Sequence, residues 1–439
     1  MDAFVINGGR ALQGSARIHG SKNAALPLMA ASLLSDEPIT LRDVPDLSDI
    51  RNMTRLLSTL GCQVDKHNDC SRILHLRSTD THASIAHYDI VRTMRAGICV
   101  LGPLLARRGY AKVSMPGGCA IGDRPVDLHL RGLRALGAQI HLDGGYIVAK
   151  APPGGLQGRR IFLGGPNGST VLGTANVLSA AVLAKGMTII ESAACEPEVQ
   201  DLANMLNAMG AKINGAGTPR ITIHGTTTLG SVDHTVIPDR IEAGTYLIAA
   251  AITRGQVTLE NFPTDALTAL LDRVQEMGLD IRSDSIEAGS DFQQMRDRIH
   301  IAAPNGIKPV HVVTQPYPGF PTDLQAQIMA MLCMAQGNSI ITDKIFPDRF
   351  LHVAELLRMG ANLIRNGPTV MVLGVDELVG APVMASDLRA SAGLVLAGLA
   401  AKGITTVNRV YHLDRGYECM ELTLAKLGAD IKRIDQPAL

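Results

Sequence analysis

One phrase recurs six times along this chain, and it sets the architecture before any single residue is weighed. The copies are Gly61-Cys62-Gln63-Val64, Gly137-Ala138-Gln139-Ile140, Gly210-Ala211-Lys212-Ile213, Gly278-Leu279-Asp280-Ile281, Gly360-Ala361-Asn362-Leu363 and Gly428-Ala429-Asp430-Ile431. Before the glycine, apolar residues fall at helical spacing, as in Leu202, Met205, Leu206 and Met209 or Leu267, Leu270, Leu271 and Val274. After it, a short alternating strand begins. Glycine at such a junction suits the left-handed position that ends a helix, where a Cβ is unfavourable. The period is roughly 70 residues, and a second apolar helix starts roughly 40 residues upstream of each glycine. The pattern predicts a sixfold βαβ-type repeat.

The text between the copies repeats as well. Leu178 to Lys185 is an Ala-rich helical run followed by Gly186 and the β-branched Thr188-Ile189-Ile190, and Leu247 to Gly255 and Leu396 to Gly403 repeat the design. These helices are apolar nearly all round, which predicts that they are buried with sheets packed over them. A solenoid with a concave binding face is the opposite reading, and irregular Gly-rich inserts in the period count against it. A chain of 439 residues exceeds one compact core, so six repeats divide three and three. The boundary falls near Pro238-Asp239-Arg240, where the polar stretch Gly230 to His234 gives way to the fourth repeat. The first strand, Ala3 to Asn7, fits either half.

A formal charge of zero and a pI near 7.2 speak against nucleic acid or a membrane surface as partner. No apolar run approaches the roughly 18 residues of a membrane span. Met1-Asp2-Ala3-Phe4 lacks the basic and apolar regions of a signal peptide, and seven cysteines without framework spacing suggest a reducing cytoplasm. Trp is absent and aromatic residues make up 3%, so stacking platforms for bases are not expected.

Three constellations carry potential chemistry. Pro116-Gly117-Gly118-Cys119-Ala120-Ile121-Gly122-Asp123-Arg124-Pro125 breaks the repeat and reads as a surface loop. Its cysteine is either incidental to a tight turn or a thiol that Arg124 and the loop amides push toward thiolate. Cys99 and Cys333, in apolar helical text, read as core residues. Lys22, Arg95 and Arg389 stand at the starts of apolar helices. A cation there opposes the helix dipole, so each is a solvated or salt-bridged charge, or part of an anion site. Asp323, in Pro321-Thr322-Asp323, begins the fifth repeat's helix as Asp387 begins the sixth's, and a capping role suffices for either. Arg349 and Arg415 lie in loops before second helices, where a surface charge is the plain reading.

Taken together, Ser21-Lys22-Asn23-Ala24, Met94-Arg95-Ala96, Pro116-Gly117-Gly118-Cys119, Arg124-Pro125-Val126-Asp127-Leu128-His129, Pro321-Thr322-Asp323, Ser386-Asp387-Leu388-Arg389 and Asp414-Arg415-Gly416-Tyr417-Glu418 closely resemble the UDP-N-acetylglucosamine enolpyruvyl transferases, members of the EPSP synthase superfamily. The resemblance runs the whole length in order. It implies two inside-out α/β barrel-like domains of three repeats each. Residues 22–238 would form the first, 1–21 with 239–439 the second, and the active site would lie in the cleft between them. It also implies a cytoplasmic enzyme of peptidoglycan synthesis, on which cell shape and division depend. The substrates would be phosphoenolpyruvate and UDP-N-acetylglucosamine, with no metal or redox cofactor required. Lys22, Arg124 and Arg415 would hold the phosphate of phosphoenolpyruvate and Arg349 and Arg389 its carboxylate, with Asn23 beside them. Cys119 would protonate C3 and be the target of fosfomycin, and Asp323 would be the general base. Lys22 and Arg415 would join these two in catalysis. The UDP-sugar would meet Asn23, Arg95, Arg124, Pro125, Val126, Asp127, Leu128, Thr170, Val171, Asp323 and Ile345.

The chain departs from that pattern in three places. Thr170-Val171-Leu172-Gly173-Thr174 replaces the family's Ser-Val-Gly-Ala-Thr, after Gly164-Gly165-Pro166-Asn167-Gly168. Asp343 and Pro347-Asp348 stand where a Glu and Glu-Asn are expected around Ile345, and the loop from Ser283 to Arg298 is longer. The alternatives are therefore a paralogue acting on another uridine nucleotide, the shikimate-pathway transferase, which lacks the Pro-Gly-Gly-Cys loop, and a non-catalytic UDP-sugar-binding paralogue.

Overall fold

The computed structural model describes residues 2–66, 72–117, 126–166, 168–284, 296–303 and 306–435. All six glycines of the repeated phrase adopt positive φ: 77° at Gly61, 99° at Gly137, 103° at Gly210, 96° at Gly278, 86° at Gly360 and 98° at Gly428. A strand starts within two residues of each: Cys62–Lys66, Gln139–Asp143, Lys212–Asn214, Asp280–Ser283, Asn362–Asn366 and Asp430–Asp435. Each repeat is one four-stranded sheet, six among the described residues, and every sheet has the same plan. An edge strand runs parallel to its neighbour, and an antiparallel pair, consecutive in the chain in five of the six, closes the other side. In the fifth repeat, for example, His311–Thr314 lies parallel to Asn338–Asp343, which pairs antiparallel with Thr369–Leu373. Parallel neighbours require a long crossover, and in four of the six repeats the inner helix supplies it.

The chain divides into two compact units, one of residues 20–237 and one of residues 2–19 with 238–435. Each contains three of the sheets. Both units close on a borrowed strand. Asp2–Asn7 fills the sixth repeat, antiparallel to Ile404–Asn408 and to Asp430–Asp435. Gln13–Arg17 opens the fourth, parallel to Gln256–Phe262. In the other unit Val232–Thr235 lies parallel to Ile39–Arg42 and completes the first repeat. That strand falls inside the stretch expected to be a polar boundary. It is a short edge strand whose alternate residues face solvent, so it lacks an apolar pattern.

The inner helices are enclosed as their composition requires. Gln325–Leu332 is buried at every residue, and Leu388–Ala400 is buried from Arg389 to Leu399. Strands alternate in exposure: Val370 and Val372 are buried while Met371 between them is 42% exposed. Helices thus sit inside and half-wetted mixed sheets outside, each unit around its own apolar core. The six sheets stay separate and close into no continuous barrel. Two inner helices begin as 3₁₀ turns, at Arg95–Val100 and Thr322–Leu324, rather than as the α-helices expected there. Helix starts often tighten in this way.

Glycine also marks close approaches between chain segments. A Cβ on Gly374 would lie 1.7 Å from the Ala335 carbonyl oxygen, and one on Gly225 1.6 Å from that of Ala184, the same relation in two repeats. Gly428, by contrast, needs its positive φ but faces open space. Gly374→Ala is therefore expected to cost about 3 kcal/mol through overpacking. Gly428→Ala should cost about 1 kcal/mol through backbone strain alone. Urea unfolding of the two variants should rank them in that order, and equal midpoints would contradict the packing argument.

Candidate active site

Asp323 is the centre of a charged cluster in the unit of residues 2–19 and 238–435. Its Oδ1 lies 2.7 Å from Arg349 Nη1 and its Oδ2 3.0 Å from Arg389 Nη2. The arginines are only 6% and 3% exposed, whereas the Asp323 side chain retains 25%. Arg389 enters this position as the second residue of Leu388–Ala400, whose first turn is capped by Asp387 through bonds from the Arg389 and Ala390 amides. Asp387 is thus the cap that its position suggested, while Asp323 is not. Burial works against the Arg389 charge, but Asp323, Tyr417 and Asp239 together more than offset it and hold the guanidinium above its ordinary pKa. Arg349, which the sequence left as a surface charge, is buried because its guanidinium has Asp323 and the Phe346 ring, 5.8 Å away, as partners.

A second carboxylate, Asp343, builds the loop around this cluster. It is fully buried at the end of Asn338–Asp343. Its Oδ1 accepts from the Thr314 hydroxyl at 2.7 Å and from the Ile345 and Phe346 amides at 2.9 and 2.8 Å. Its Oδ2 accepts from the Thr322 hydroxyl at 2.7 Å, next to Asp323. The Asp that departs from the family pattern therefore has every donor it needs, and it anchors both Ile345 and the turn carrying Asp323. Arg415 ends the turn Val410–Arg415. Its neighbour Asp414 is tied to Arg433, which also pairs with Asp2 and Glu421.

The other unit holds its own set. Lys22 is the first residue of Lys22–Ala31, capped by Ser21, and is buried with its Nζ 3.3 Å from Asp49 Oδ2. It is a salt-bridged cation, one of the readings left open for it. Asn23 beside it is half-buried. Arg95 begins its 3₁₀ turn half-buried, above a packed group of polar side chains. There Asn176 Nδ2 donates to the Ile98 carbonyl at 2.8 Å and reaches His129 Nδ1 at 3.1 Å, while Asn176 Oδ1 accepts from the Gly102 amide at 2.5 Å. Burial first, and Arg95 second, push the His129 pKa down to about 3, so its ring is neutral and accepts from Asn176. Burial likewise pushes the Cys99 and Cys333 thiols up to about 12, as core cysteines should be.

Thr170 caps Val171–Ala181 through the Gly173 amide at 3.2 Å. Asp127 and Leu128 open the helix Asp127–Ala135, with Val126 buried before them. In the altered segment Gly165 and Gly168 pair by backbone bonds of 2.8 and 3.1 Å, and a Cβ on Gly165 would meet Leu128 at 3.0 Å. Cys119, Arg124 and Pro125 lie outside the described residues, as does most of the long loop after Ser283. The structure brings Asp323, Arg349 and Arg389 into contact and ties Ile345 to them through Asp343. Reading the sequence for charges at helix starts gave no role to Asp49 and Gln327, which lie in the same repeats as Lys22 and Asp323, or to Thr245 and Asn176, which come from other repeats; His129 and Tyr417 sit within recognised phrases without a role.

The comparisons agree with this picture. The chain matches the family model described as EPSP synthase (3-phosphoshikimate 1-carboxyvinyltransferase) over residues 6–424. It is 49% identical over 433 residues to the UDP-N-acetylglucosamine 1-carboxyvinyltransferase of Myxococcus xanthus, covering 99% of both chains. To the proteins of the same name from Rhodospirillum centenum and Coxiella burnetii it is 50% identical over 442 and 440 residues, covering 99% of this chain and 99% and 96% of theirs. Among solved structures it is similar to the enolpyruvyl transferase NikO from Streptomyces tendae, with TM-score 0.86 at 24% identity over 99% of both chains. It is also similar to EPSP synthase from Acinetobacter baumannii, with TM-score 0.76 at 18% identity over 99% and 100%. At those identities the likeness speaks for the two-domain α/β fold alone. The match along nearly the whole chain and the relatives at about half identity settle the membership: this chain belongs to the EPSP synthase family and is an enolpyruvyl (1-carboxyvinyl) transferase.

Proposed function

We propose that the chain transfers the enolpyruvyl group of phosphoenolpyruvate to the 3-hydroxyl of UDP-N-acetylglucosamine with release of phosphate, the first committed step of peptidoglycan synthesis, in the cytoplasm. The observation that carries the reading is the carboxylate of Asp323 held between the buried Arg349 and Arg389. It is the pairing needed where a base must sit beside an anionic substrate. Relatives that share the whole length at about half identity bear the corresponding name.

In this reading Arg349 and Arg389 take the phosphoenolpyruvate carboxylate, and Lys22, Arg124 and Arg415 its phosphate, with Asn23 adjacent. Fixed guanidinium and ammonium groups bind the roughly three negative charges and stabilise the departing phosphate. Asp323 accepts the proton of the 3-hydroxyl as its oxygen bonds to C2, and Cys119 delivers a proton to C3. In the second step C3 gives up a proton and the C2–phosphate oxygen bond breaks, so the double bond is restored in the product. Arg95, Arg124, Pro125, Val126, Asp127, Leu128, Thr170, Val171 and Ile345 hold the nucleotide sugar.

Four measurements test this. Purified protein should release phosphate from phosphoenolpyruvate with UDP-N-acetylglucosamine. Release with another uridine nucleotide instead would favour the paralogue suggested by the altered 164–174 segment. Asp323→Asn keeps hydrogen-bonding capacity but removes the base, and kcat should fall by roughly 10²–10⁴-fold; an unchanged kcat would remove Asp323 from the mechanism. Cys119→Asp should remain active yet resist fosfomycin, because a proton donor survives while the nucleophile is lost, whereas Cys119→Ala should lose activity. Peptide mapping that finds the fosfomycin adduct on Cys99, Cys195 or another thiol would reject the assignment.

A further inference from the structure

We infer that Tyr417 is a positioning residue for enolpyruvyl transfer, its single phenol oxygen fixing the Arg389 guanidinium. The inference rests on the proposed roles of Arg389 toward the phosphoenolpyruvate carboxylate and of Asp323 as base. Tyr417 is 1% exposed in the loop before Met420–Lys426. Its oxygen lies 3.3 Å from Arg389 Nη1, 3.2 Å from Gln327 Nε2 and 2.8 Å from Thr245 Oγ1. Those partners belong to Leu388–Ala400, Gln325–Leu332 and Arg240–Ile252, the three inner helices of this unit. One oxygen therefore joins the sixth, fifth and fourth repeats at the point where their helices converge.

The partners of the phenol set the direction of its hydrogen bonds. Arg389 and Gln327 Nε2 can only donate. The Thr245 hydroxyl already donates to the Ile241 carbonyl at 2.8 Å. The phenol therefore accepts from Arg389 and gives its own proton to Thr245, while the two Gln327 Nε2 protons are shared among the Asp323 carbonyl, Thr245 Oγ1 at 3.1 Å and the phenol. Burial raises the Tyr417 pKa and Arg389 opposes that only in part, so the phenol stays protonated. Gln327 Nε2 also reaches the Asp323 carbonyl at 3.0 Å. Arg389 has one terminal nitrogen on Tyr417 and the other on Asp323, which sets the plane of its guanidinium. A carboxylate recognised by that fork requires such a fixed plane. A tyrosine kept only to fill the core would need its ring and not this oxygen.

Tyr417→Phe preserves the ring and deletes the oxygen. Its KM for phosphoenolpyruvate should rise about tenfold or more, the size expected for one lost bond to a charged group. Its KM for UDP-N-acetylglucosamine should stay within about twofold, a change too small to signal a lost hydrogen bond. Thr245→Val, which takes away the proton's acceptor, should shift the same parameter in the same direction. Spectra of ¹⁵N-arginine-labelled protein give a readout that needs no turnover. The Arg389 side-chain resonance, assigned with Arg389→Lys, should move and exchange faster with water in Tyr417→Phe. Both KM values rising together, neither rising, or an unmoved Arg389 resonance would overturn the inference. If the wild-type protein turns over no phosphoenolpyruvate, the proposed function fails, and the arginine resonance alone then decides whether Tyr417 positions Arg389.

Discussion

Helices that are apolar on every face must be enclosed, and much else in this protein follows from that constraint. An amphipathic helix can place charges anywhere along its wet side. The helix Gln325–Leu332, buried at every residue, has no wet side. Its ends are the places where the backbone leaves donors unpaired and where the core gives way to polar surroundings. Lys22, Arg95 and Arg389 each occupy the first or second position of such an element, and Asp323 sits in the turn that leads into another. Enclosure thus concentrates ionic groups at helix starts, and the sheets, wetted on one face, take over contact with solvent.

Charges placed so deeply have to satisfy one another. Removing one member of a buried ion pair typically costs about 3–5 kcal/mol because the remaining charge is stranded. Asp323 serves Arg349 and Arg389 together, so neither guanidinium is isolated. Asp343 plays the complementary part with hydroxyl and amide donors only, and needs no cation. The first arrangement leaves a partly exposed carboxylate available to a substrate. The second closes a carboxylate off completely and turns it into scaffolding. Two aspartates of the same repeat therefore do different work because one faces arginines and the other faces neutral donors.

The repeat was legible because a left-handed junction restricts the residue that can occupy it. Gly61, Gly137, Gly210, Gly278, Gly360 and Gly428 all adopt the predicted positive φ. Cations in apolar text, such as Lys22 and Arg389, were equally visible, since burial without a reason is costly. Their partners were not. Asp49 and Tyr417 lie 27 and 28 residues from Lys22 and Arg389, on other elements of the same repeats. Thr245 lies 172 residues from Tyr417 in another repeat, and helical or strand spacing carries no information about either distance. Val232–Thr235 escaped because an edge strand needs only backbone partners and shows no apolar alternation. Arg349 was undervalued because loop position suggests solvent, whereas burial depends on what the loop folds against.

The borrowed strands impose an order in time as well as in space. Residues 20–237 form a continuous stretch, and all partners of their sheets have left the ribosome once Thr235 has emerged. The other unit begins with Asp2–Asn7 and Gln13–Arg17, whose partners Gln256–Phe262, Ile404–Asn408 and Asp430–Asp435 are made later, the last of them at the far end of the chain. Asp2–Asn7 and Gln13–Arg17 are thus synthesised well before the strands they pair with. Their open edges must wait through the synthesis of the whole intervening unit, which exposes these two strands to wrong pairing during biogenesis.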